Sequence, residues 1–191
     1  MQKASFIIRH ALVGDIAAIN RIQHECYPEE YHETSEAFIN KIQQSPDFCL
    51  VATNLQGQVL GYFMCVLASL EQFPCLHTEN FECPKKPSLL YLHDMALSTF
   101  ARGRGVRQAF LRAIFQKAQQ LPTLKSAYLV AVQGAEVVWQ KEGFKPINAQ
   151  QLGLAEQLNT YGEGAVLMAK TLAMPVSPVI VSPTKHRCSS I

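Results

Sequence analysis

A short run of glycines and arginines carries the clearest chemical pattern in this chain of 191 residues. Residues 102–107 read Arg-Gly-Arg-Gly-Val-Arg and stand between a strand-like segment and a segment with apolar residues at helical spacing. Glycine lets backbone N–H groups approach an anion without a Cβ in the way, and the first turn of a helix leaves such groups unpaired. The run therefore predicts a cradle for a pyrophosphate, with a plain tight turn and solvated arginines as the alternative.

The two commonest phosphate-binding motifs do not explain this run. The chain has no Gly-Lys followed by Ser or Thr, which a P-loop requires, and no Gly-x-Gly-x-x-Gly near its first strand. The run also stands in the middle of the chain. A P-loop and a Rossmann site are therefore poor interpretations.

Hydrophobic spacing predicts the elements that position this turn. Strands are predicted at 6–10, 48–53, 59–68, 89–97, 127–132 and 165–172. Helices are predicted after caps at Asp15 and at Thr34 or Ser35, from 106 to 121, and at 136–142. The segment 69–87 contains three prolines and no sustained period, which predicts a long loop.

The composition is typical of a soluble globular protein. Hydrophobic residues make up 48% of the chain and charged residues 17%, and the formal net charge is +2. These values exclude a disordered chain and give no strong field that would attract nucleic acid. The sequence shows no secretory signal and no apolar run long enough to span a bilayer, so a cytoplasmic location is expected.

The six cysteines are scattered and indicate no disulfide framework. Cys75, His77 and Cys83 lack both the paired spacing of a zinc site and a fourth ligand, so no metal is expected. One domain is predicted at 4–173, and the proline-containing segment 174–191 is predicted to be a disordered tail. Membrane contact is expected only if Cys188 in that tail is lipidated.

The glycine turn and its surroundings resemble a known family. Arg102-x-x-Gly105, after a strand, is similar to the Arg/Gln-x-x-Gly-x-Gly/Ala signature of the GNAT superfamily of N-acetyltransferases. The Asp-capped first helix, the segment 137–144 and the order of elements also match, over about residues 6–172. The resemblance implies a single α/β (α+β) domain with a mixed, mostly antiparallel sheet of six or seven strands. It further implies that the sheet splays between the fourth and fifth strands and has helices on both faces.

The resemblance also implies acetyl-CoA as co-substrate and a set of residues that bind it. The backbone of Met95, Ala96 and Leu97 should pair with the pantetheine arm, and residues 103–108 should hold the pyrophosphate. The cofactor-binding residues implied in this way are Met95, Ala96, Leu97, Arg102, Gly103, Arg104, Gly105, Val106, Arg107, Gln108 and Trp139. Two positions depart from the family. Arg107 replaces a Gly or Ala, so its side chain must point outward or grip a phosphate, and Trp139 replaces a tyrosine that is proposed to protonate the thiolate.

Three residues are candidates for proton transfer, which an amine acceptor requires because its ammonium form has no free lone pair. His93 is the candidate base, and its spacing is similar to that of a histidine in arylalkylamine N-acetyltransferases. Tyr91 should share a face with His93 and could relay a proton, Tyr161 is a candidate acid, and Asp94 should point to the opposite face. The alternatives are a core histidine, a core aromatic residue and a loop-surface tyrosine, respectively.

The resemblance implies an enzyme that moves an acetyl group from acetyl-CoA to an amine by direct attack. A small arylalkylamine or alkylamine, or a polyamine, is the expected acceptor. Glu29, Glu30, Glu33 and Glu36 could attract a cationic amine or form a solvated acidic face. Acetylation of a protein or peptide amine, and a catalytically silent module that senses acyl-CoA, remain the other interpretations.

Overall fold

The computed structural model describes residues 6–172. The predicted tail at 174–191, with Cys188, lies outside the described residues, as do the two ends of the predicted domain at 4–173. No helix within this described range is both long enough and apolar enough to cross a membrane.

Seven strands form one sheet in the order β1-β2-β3-β4-β5-β7-β6. They are β1 (Ile7–His10), β2 (Cys49–Thr53), β3 (Val59–Ala68), β4 (Leu89–Leu97), β5 (Ser126–Ala131), β6 (Lys145–Pro146) and β7 (Val166–Thr171). Every neighbouring pair is antiparallel except β4 and β5, which run parallel. The predicted mixed, mostly antiparallel sheet is therefore confirmed.

Helices cover both faces of the sheet, also as predicted. They are α1 (Ile16–Cys26), α2 (Ser35–Gln44), α3 (Val106–Ala118), α4 (Glu136–Gln140) and α5 (Ala155–Asn159). Apolar residues of α1 and α2 pack against one face around Tyr62 and Met64. Those of α3, such as Phe110 and Ile114, pack against the other face around Leu92. The helices α1, α2 and α3 each bury the stripe that their 3.6-residue period places on one side.

The sheet opens between β4 and β5. The two strands pair from Leu89 opposite Ser126 to Leu92 opposite Leu129, and there the pairing ends. β4 nevertheless continues to Leu97, and β5 continues beside β7. The opening between the diverging strands, called the wedge below, matches the predicted splay.

A bulge in β4 changes the orientation of the residues that line the wedge. Met64 of β3 lies opposite Asp94, but the next residue, Cys65, lies opposite Leu92, so His93 is an extra residue in β4. His93 contacts Glu33, which precedes α2, and Asp94 accepts a hydrogen bond from a tyrosine packed under the same helix. Both side chains therefore lie on the face covered by α1 and α2. The prediction that Asp94 points away from the face of His93 is wrong, because the bulge interrupts the alternation of side chains.

Candidate active site

The glycine turn has the backbone conformation that its sequence predicts. Gly103 and Gly105 have φ values of 71° and 83°, in the left-handed region that other residues rarely adopt, and Gly105 caps the N-terminus of α3. An added Cβ would meet no atom within 4 Å at either glycine, so backbone conformation rather than space requires them. The turn borders a cavity of about 430 Å³. The unpaired amides at the start of α3 can therefore meet an anion there.

Two of the arginines in this turn are tied to neighbouring residues. The Nε of Arg102 donates a hydrogen bond to the Leu97 carbonyl at 3.2 Å. The Nη2 of Arg107 donates to Oε1 of Glu142 at 2.8 Å, so this side chain links α3 to the turn after α4. The Nη1 of Arg107 is buried and has no hydrogen-bond partner among the described residues. Arg107 lines the cavity at the turn, where a bound phosphate would supply the missing acceptor, whereas Arg102 holds the end of β4 against the turn.

The main chain of β4 presents hydrogen-bonding groups to the wedge. Ser98 donates its amide to Leu60 of β3, so by the alternation of an antiparallel ladder Ala96 also faces β3. Met95 and Leu97 then face the wedge, where the Tyr27 hydroxyl donates to the Met95 carbonyl at 2.7 Å. The amides of Met95 and Leu97 are suited to an amide-bearing arm such as pantetheine. The main chain of Ala96 pairs with β3 instead, and its predicted role stays a prediction.

A cavity of about 220 Å³ lies in the wedge and is called the wedge cavity below. Its walls combine aromatic and apolar side chains with two carboxyl groups and one imidazole. Residues that line it include Tyr27, Tyr31, Glu33, His93, Asp94 and Trp139. A small apolar chamber with few polar groups is the usual form of a site for a small ligand.

Two of the three predicted catalytic residues, His93 and Tyr161, line this cavity, and the third, Tyr91, contacts Tyr161. The Tyr161 hydroxyl lies 2.6 Å from the Tyr91 hydroxyl and 3.3 Å from Nδ1 of His93. The Nε2 of His93 lies 2.9 Å from Oε2 of Glu33, although neither atom has an aligned hydrogen-bond partner within the described range. All four side chains are buried. The geometry shows a connected chain of proton-bearing groups, and the catalytic roles of its members stay predictions.

Glu33 is held in place from several sides. The Nζ of Lys41 donates to Oε1 at 2.9 Å and lies equally close to Oε2, and the His77 amide also donates to Oε1. The main chain of Glu33 is fixed by two hydrogen bonds with the Gln23 side chain. Burial opposes the charged form, but His93 and Lys41 outweigh it and lower the pKa of Glu33 to about 2. Glu33 is therefore a buried carboxylate at neutral pH.

In contrast to the pKa of Glu33, the pKa values of three tyrosines and of Asp94 in this site are raised overall. Burial raises the pKa of the phenols of Tyr27, Tyr91 and Tyr161, so all three stay protonated near neutral pH. Burial also raises the pKa of Asp94, although the hydrogen bond from Tyr62 opposes that shift. The phenols can therefore donate hydrogen bonds but do not act as bases.

Sequence reasoning missed Lys41, Tyr27 and the role of Glu33. Glu29, Glu30 and Glu36 are exposed, whereas Glu33 is buried, so the acidic run does not act as one face. A signal for Lys41 did exist, since it stands among the buried apolar positions of α2. Within residues 6–172, no group of three His, Cys, Asp or Glu side chains is arranged to hold a metal ion.

The fold and the site together define a protein that binds an acyl carrier between two diverging strands and a helix N-terminus. A profile of the acetyltransferase (GNAT) family matches residues 16–144, which is more than half of the chain. The protein belongs to this family, and it is an acyltransferase that takes its acetyl group from acetyl-CoA. No curated protein matches the sequence significantly.

Several solved structures share the fold at low sequence identity. Ard1 from Thermoplasma volcanium is 18% identical with a TM-score of 0.66, over 88% of this chain and 98% of that chain. Naa50 from Arabidopsis thaliana, in complex with the bisubstrate analogue CoA-Ac-MVNAL, is 13% identical with a TM-score of 0.64, over 87% and 98%. Rv2747 from Mycobacterium tuberculosis, in complex with CoA and NLQ, is 16% identical with a TM-score of 0.64, over 87% and 99%. These matches show the shared fold and leave the similarity to arylalkylamine N-acetyltransferases a prediction.

Proposed function

We propose that this enzyme acetylates the amino group of a small alkylamine, arylalkylamine or polyamine by direct attack on acetyl-CoA in a ternary complex. The observation that carries the proposal is the position of His93, buried beside the wedge cavity between a carboxylate and a phenol. A histidine held in this way is suited to receive the proton that an alkylammonium must lose.

Acetyl-CoA is proposed to lie along the wedge. The main chain of β4 around Leu97 would meet the pantetheine arm, and residues 103–108 would meet the pyrophosphate. Trp139 would contact the arm from the side of α4, since its ring lines the wedge cavity and packs against Phe144. As the amine attacks, the carbonyl oxygen of the acetyl group gains negative charge, which the Met95 amide can stabilise.

The acceptor nitrogen loses two protons in the proposed reaction. An alkylammonium with a pKa of about 10 gives one proton to His93, directly or through water, before it can attack. The nitrogen then bonds to the acetyl carbon while the bond from that carbon to sulfur breaks. The second proton reaches the thiolate, whose pKa of about 8.5 makes it a tolerable leaving group without the acid that Trp139 replaces. The products are an amide, free CoA and one released proton.

The enclosure of the wedge cavity favours a small acceptor. The Tyr31 hydroxyl donates to the Tyr161 carbonyl at 3.3 Å, which joins the segment before α2 to the segment after α5. The loop at 69–88 closes over the same end, where the Leu76 amide donates to the Thr160 hydroxyl. A protein chain would need these contacts to open.

A cytoplasmic location is part of the proposal, and the free thiols of the five described cysteines fit such a compartment.

A peptide or protein N-terminus is the second candidate acceptor. It is favoured by the similarity in fold to Naa50, whose structure holds an analogue in which CoA is joined to a peptide sequence. A module that senses acyl-CoA without turnover is set aside, because the chain belongs to a family of acetyltransferases.

Release of CoA thiol across a panel of acceptors tests the proposal. We expect at least one arylalkylamine, alkylamine or polyamine to stimulate release, and His93→Gln to lower kcat by about 10²- to 10⁴-fold. His10→Gln, a change at an exposed histidine of β1, is the matched control and should leave kcat unchanged. Stimulation by peptides alone would favour a protein acceptor. Binding of acetyl-CoA with no stimulation by any amine of the panel would contradict the proposed acceptor class.

A further inference from the structure

Asp94 is the one carboxylate of the wedge cavity that has no cationic partner among the described residues. Glu33, the other carboxylate there, forms an ion pair with Lys41, and its Oε2 lies 2.9 Å from Nε2 of the His93 imidazole. Asp94 takes part in none of the ion pairs within residues 6–172, and it accepts a hydrogen bond from the neutral hydroxyl of Tyr62 at 2.6 Å. The charges of Lys41 and Glu33 offset each other, so a cation that enters the cavity would find its free ion-pair partner in the carboxyl group of Asp94.

Asp94 is also open to the cavity. It is only half-buried, in contrast to the fully enclosed side chains of His93 and Glu33, and it lines the cavity wall. The bulge in β4 is responsible, because it places two consecutive residues on the face that α1 and α2 cover. A ligand in the cavity therefore meets Asp94 before the enclosed side chain of His93.

We infer that Asp94 binds the positively charged amino group of the acceptor, so the substrates are amines that enter the cavity as ammonium ions with a compact apolar or aromatic substituent. The inference rests on the proposed acetyltransferase function and specifies its acceptor site. Tyr31 and Trp139 line the same chamber, and their ring faces attract a cation as well as an apolar group. Asp94 would receive the cation beside His93, which then takes its proton.

The electrostatic environment supports this assignment. Burial raises the pKa of Asp94, and a bound ammonium would favour the charged carboxylate and lower that pKa again. Besides burial, the charge of Asp94 raises the pKa of Tyr27, which places this phenol beside the carboxylate. The groups that surround Asp94 are thus two neutral phenols, the imidazole of His93 and the compensated Glu33.

Binding of phenethylammonium and of its neutral counterpart 2-phenylethanol to the wild type and to Asp94→Asn tests the inference. The amide keeps an acceptor for the Tyr62 hydroxyl, so the local fold should survive, and calorimetric binding of acetyl-CoA checks this. We expect Asp94→Asn to raise the dissociation constant of phenethylammonium by about 10- to 100-fold, in line with the loss of a partly buried charge pair. The affinity for 2-phenylethanol and for acetyl-CoA should change less than twofold. Asp47→Asn, at an exposed ion pair with Lys117, is the matched control and should change none of these values.

The outcomes separate the inference from the proposed function. Equal weakening of the amine and the alcohol, or no weakening of the amine, would overturn the role of Asp94 even if the wild type acetylates amines. If the wild type binds phenethylammonium in a way that depends on Asp94 but acetylates no amine, the cation site is supported. The proposed acetylation of small amines is then overturned. A wild type that neither binds nor acetylates the amine would contradict both.

Discussion

The ammonium nitrogen of Lys41 lies 2.9 Å from each carboxylate oxygen of Glu33, and neither side chain is exposed to solvent by more than 1%. This pair joins α2 to the segment before it and fixes the carboxylate that faces His93. A charge in such surroundings is tolerated only because its partner is present. The pair therefore has two roles, one in stability and one in positioning His93.

Removing one partner of the pair should destabilise the fold strongly. Lys41→Met leaves the Glu33 carboxylate buried without its main counter-ion, and Glu33→Gln does the same to the ammonium. We expect each to lower the free energy of unfolding by about 3–5 kcal/mol, measured by denaturant titration. The double variant should lose less than the sum of the two, because the second change removes a charge already unpaired. Lys117→Met, at the exposed pair with Asp47, should cost less than about 1 kcal/mol. A double variant with strictly additive losses would contradict the coupling.

The same carboxylate should make stability depend on pH in the acidic range. The pKa of Glu33 is about 2 in the folded protein, against an ordinary value of 4.5. A carboxyl whose pKa is lowered by folding stabilises the protein above its ordinary pKa, and this contribution is lost as the pH falls through the folded value. The difference in unfolding free energy between the wild type and Glu33→Gln should therefore shrink as the pH falls from 4.5 towards 2. Glu29→Gln, at an exposed glutamate, should differ from the wild type by a constant amount over that range.

Sequence reasoning reached the parts of the site that depend on local patterns. The glycine turn is such a part, because the backbone at Gly103 and Gly105 is set by the two residues themselves and by the start of α3. The proximity of Tyr91 to His93 also has a local basis, because residues two apart in a strand lie on the same face. Their contact with Tyr161 does not follow from that period. In addition, the order of the strands and the splay followed from the resemblance.

What the sequence did not predict depends on long-range packing. The orientation of Asp94 changes because Cys65 of β3 skips one residue of β4, and no pattern within residues 89–97 announces that bulge. Nothing in the sequence distinguishes Glu33 from its exposed glutamate neighbours. Its burial depends on Lys41, on the His77 amide from a distant loop and on β4. The elements β6 and α5 were missed because they are only 2 and 5 residues long, too short for a period to show.

The strands β3 and β4 approach each other closely at Gly61, so a larger residue at this position should destabilise the protein. A Cβ there would lie 2.5 Å from Cδ2 of Leu97 and 2.9 Å from the Ala96 carbonyl oxygen, so the end of β4 would have to move. We expect Gly61→Ala to lower the free energy of unfolding by about 1–3 kcal/mol. It should also weaken acetyl-CoA binding in calorimetry, because the wedge amides belong to the displaced segment. Gly14→Ala, where no atom lies within 4 Å, is the control and should change neither quantity. Normal acetyl-CoA affinity in a destabilised Gly61→Ala protein would separate the packing of β4 from the cofactor site.

Arg107 provides the test of the pyrophosphate site. Its Nη2 is bonded to Glu142, while Nη1 is buried without a partner beside the amides that open α3. We expect Arg107→Ala to weaken acetyl-CoA binding about 10-fold at low salt, since a charge-assisted hydrogen bond to a phosphate contributes about 1.5 kcal/mol. The difference in affinity between the wild type and the variant should diminish as salt is added, because salt screens the attraction between Arg107 and the phosphate, which only the wild type has. Arg112→Ala removes the same charge from an exposed position of α3 and should leave the affinity unchanged. If Arg107→Ala instead binds acetyl-CoA more tightly than the wild type, the arginine obstructs the turn, and the family's Gly or Ala at this position would be the better cradle.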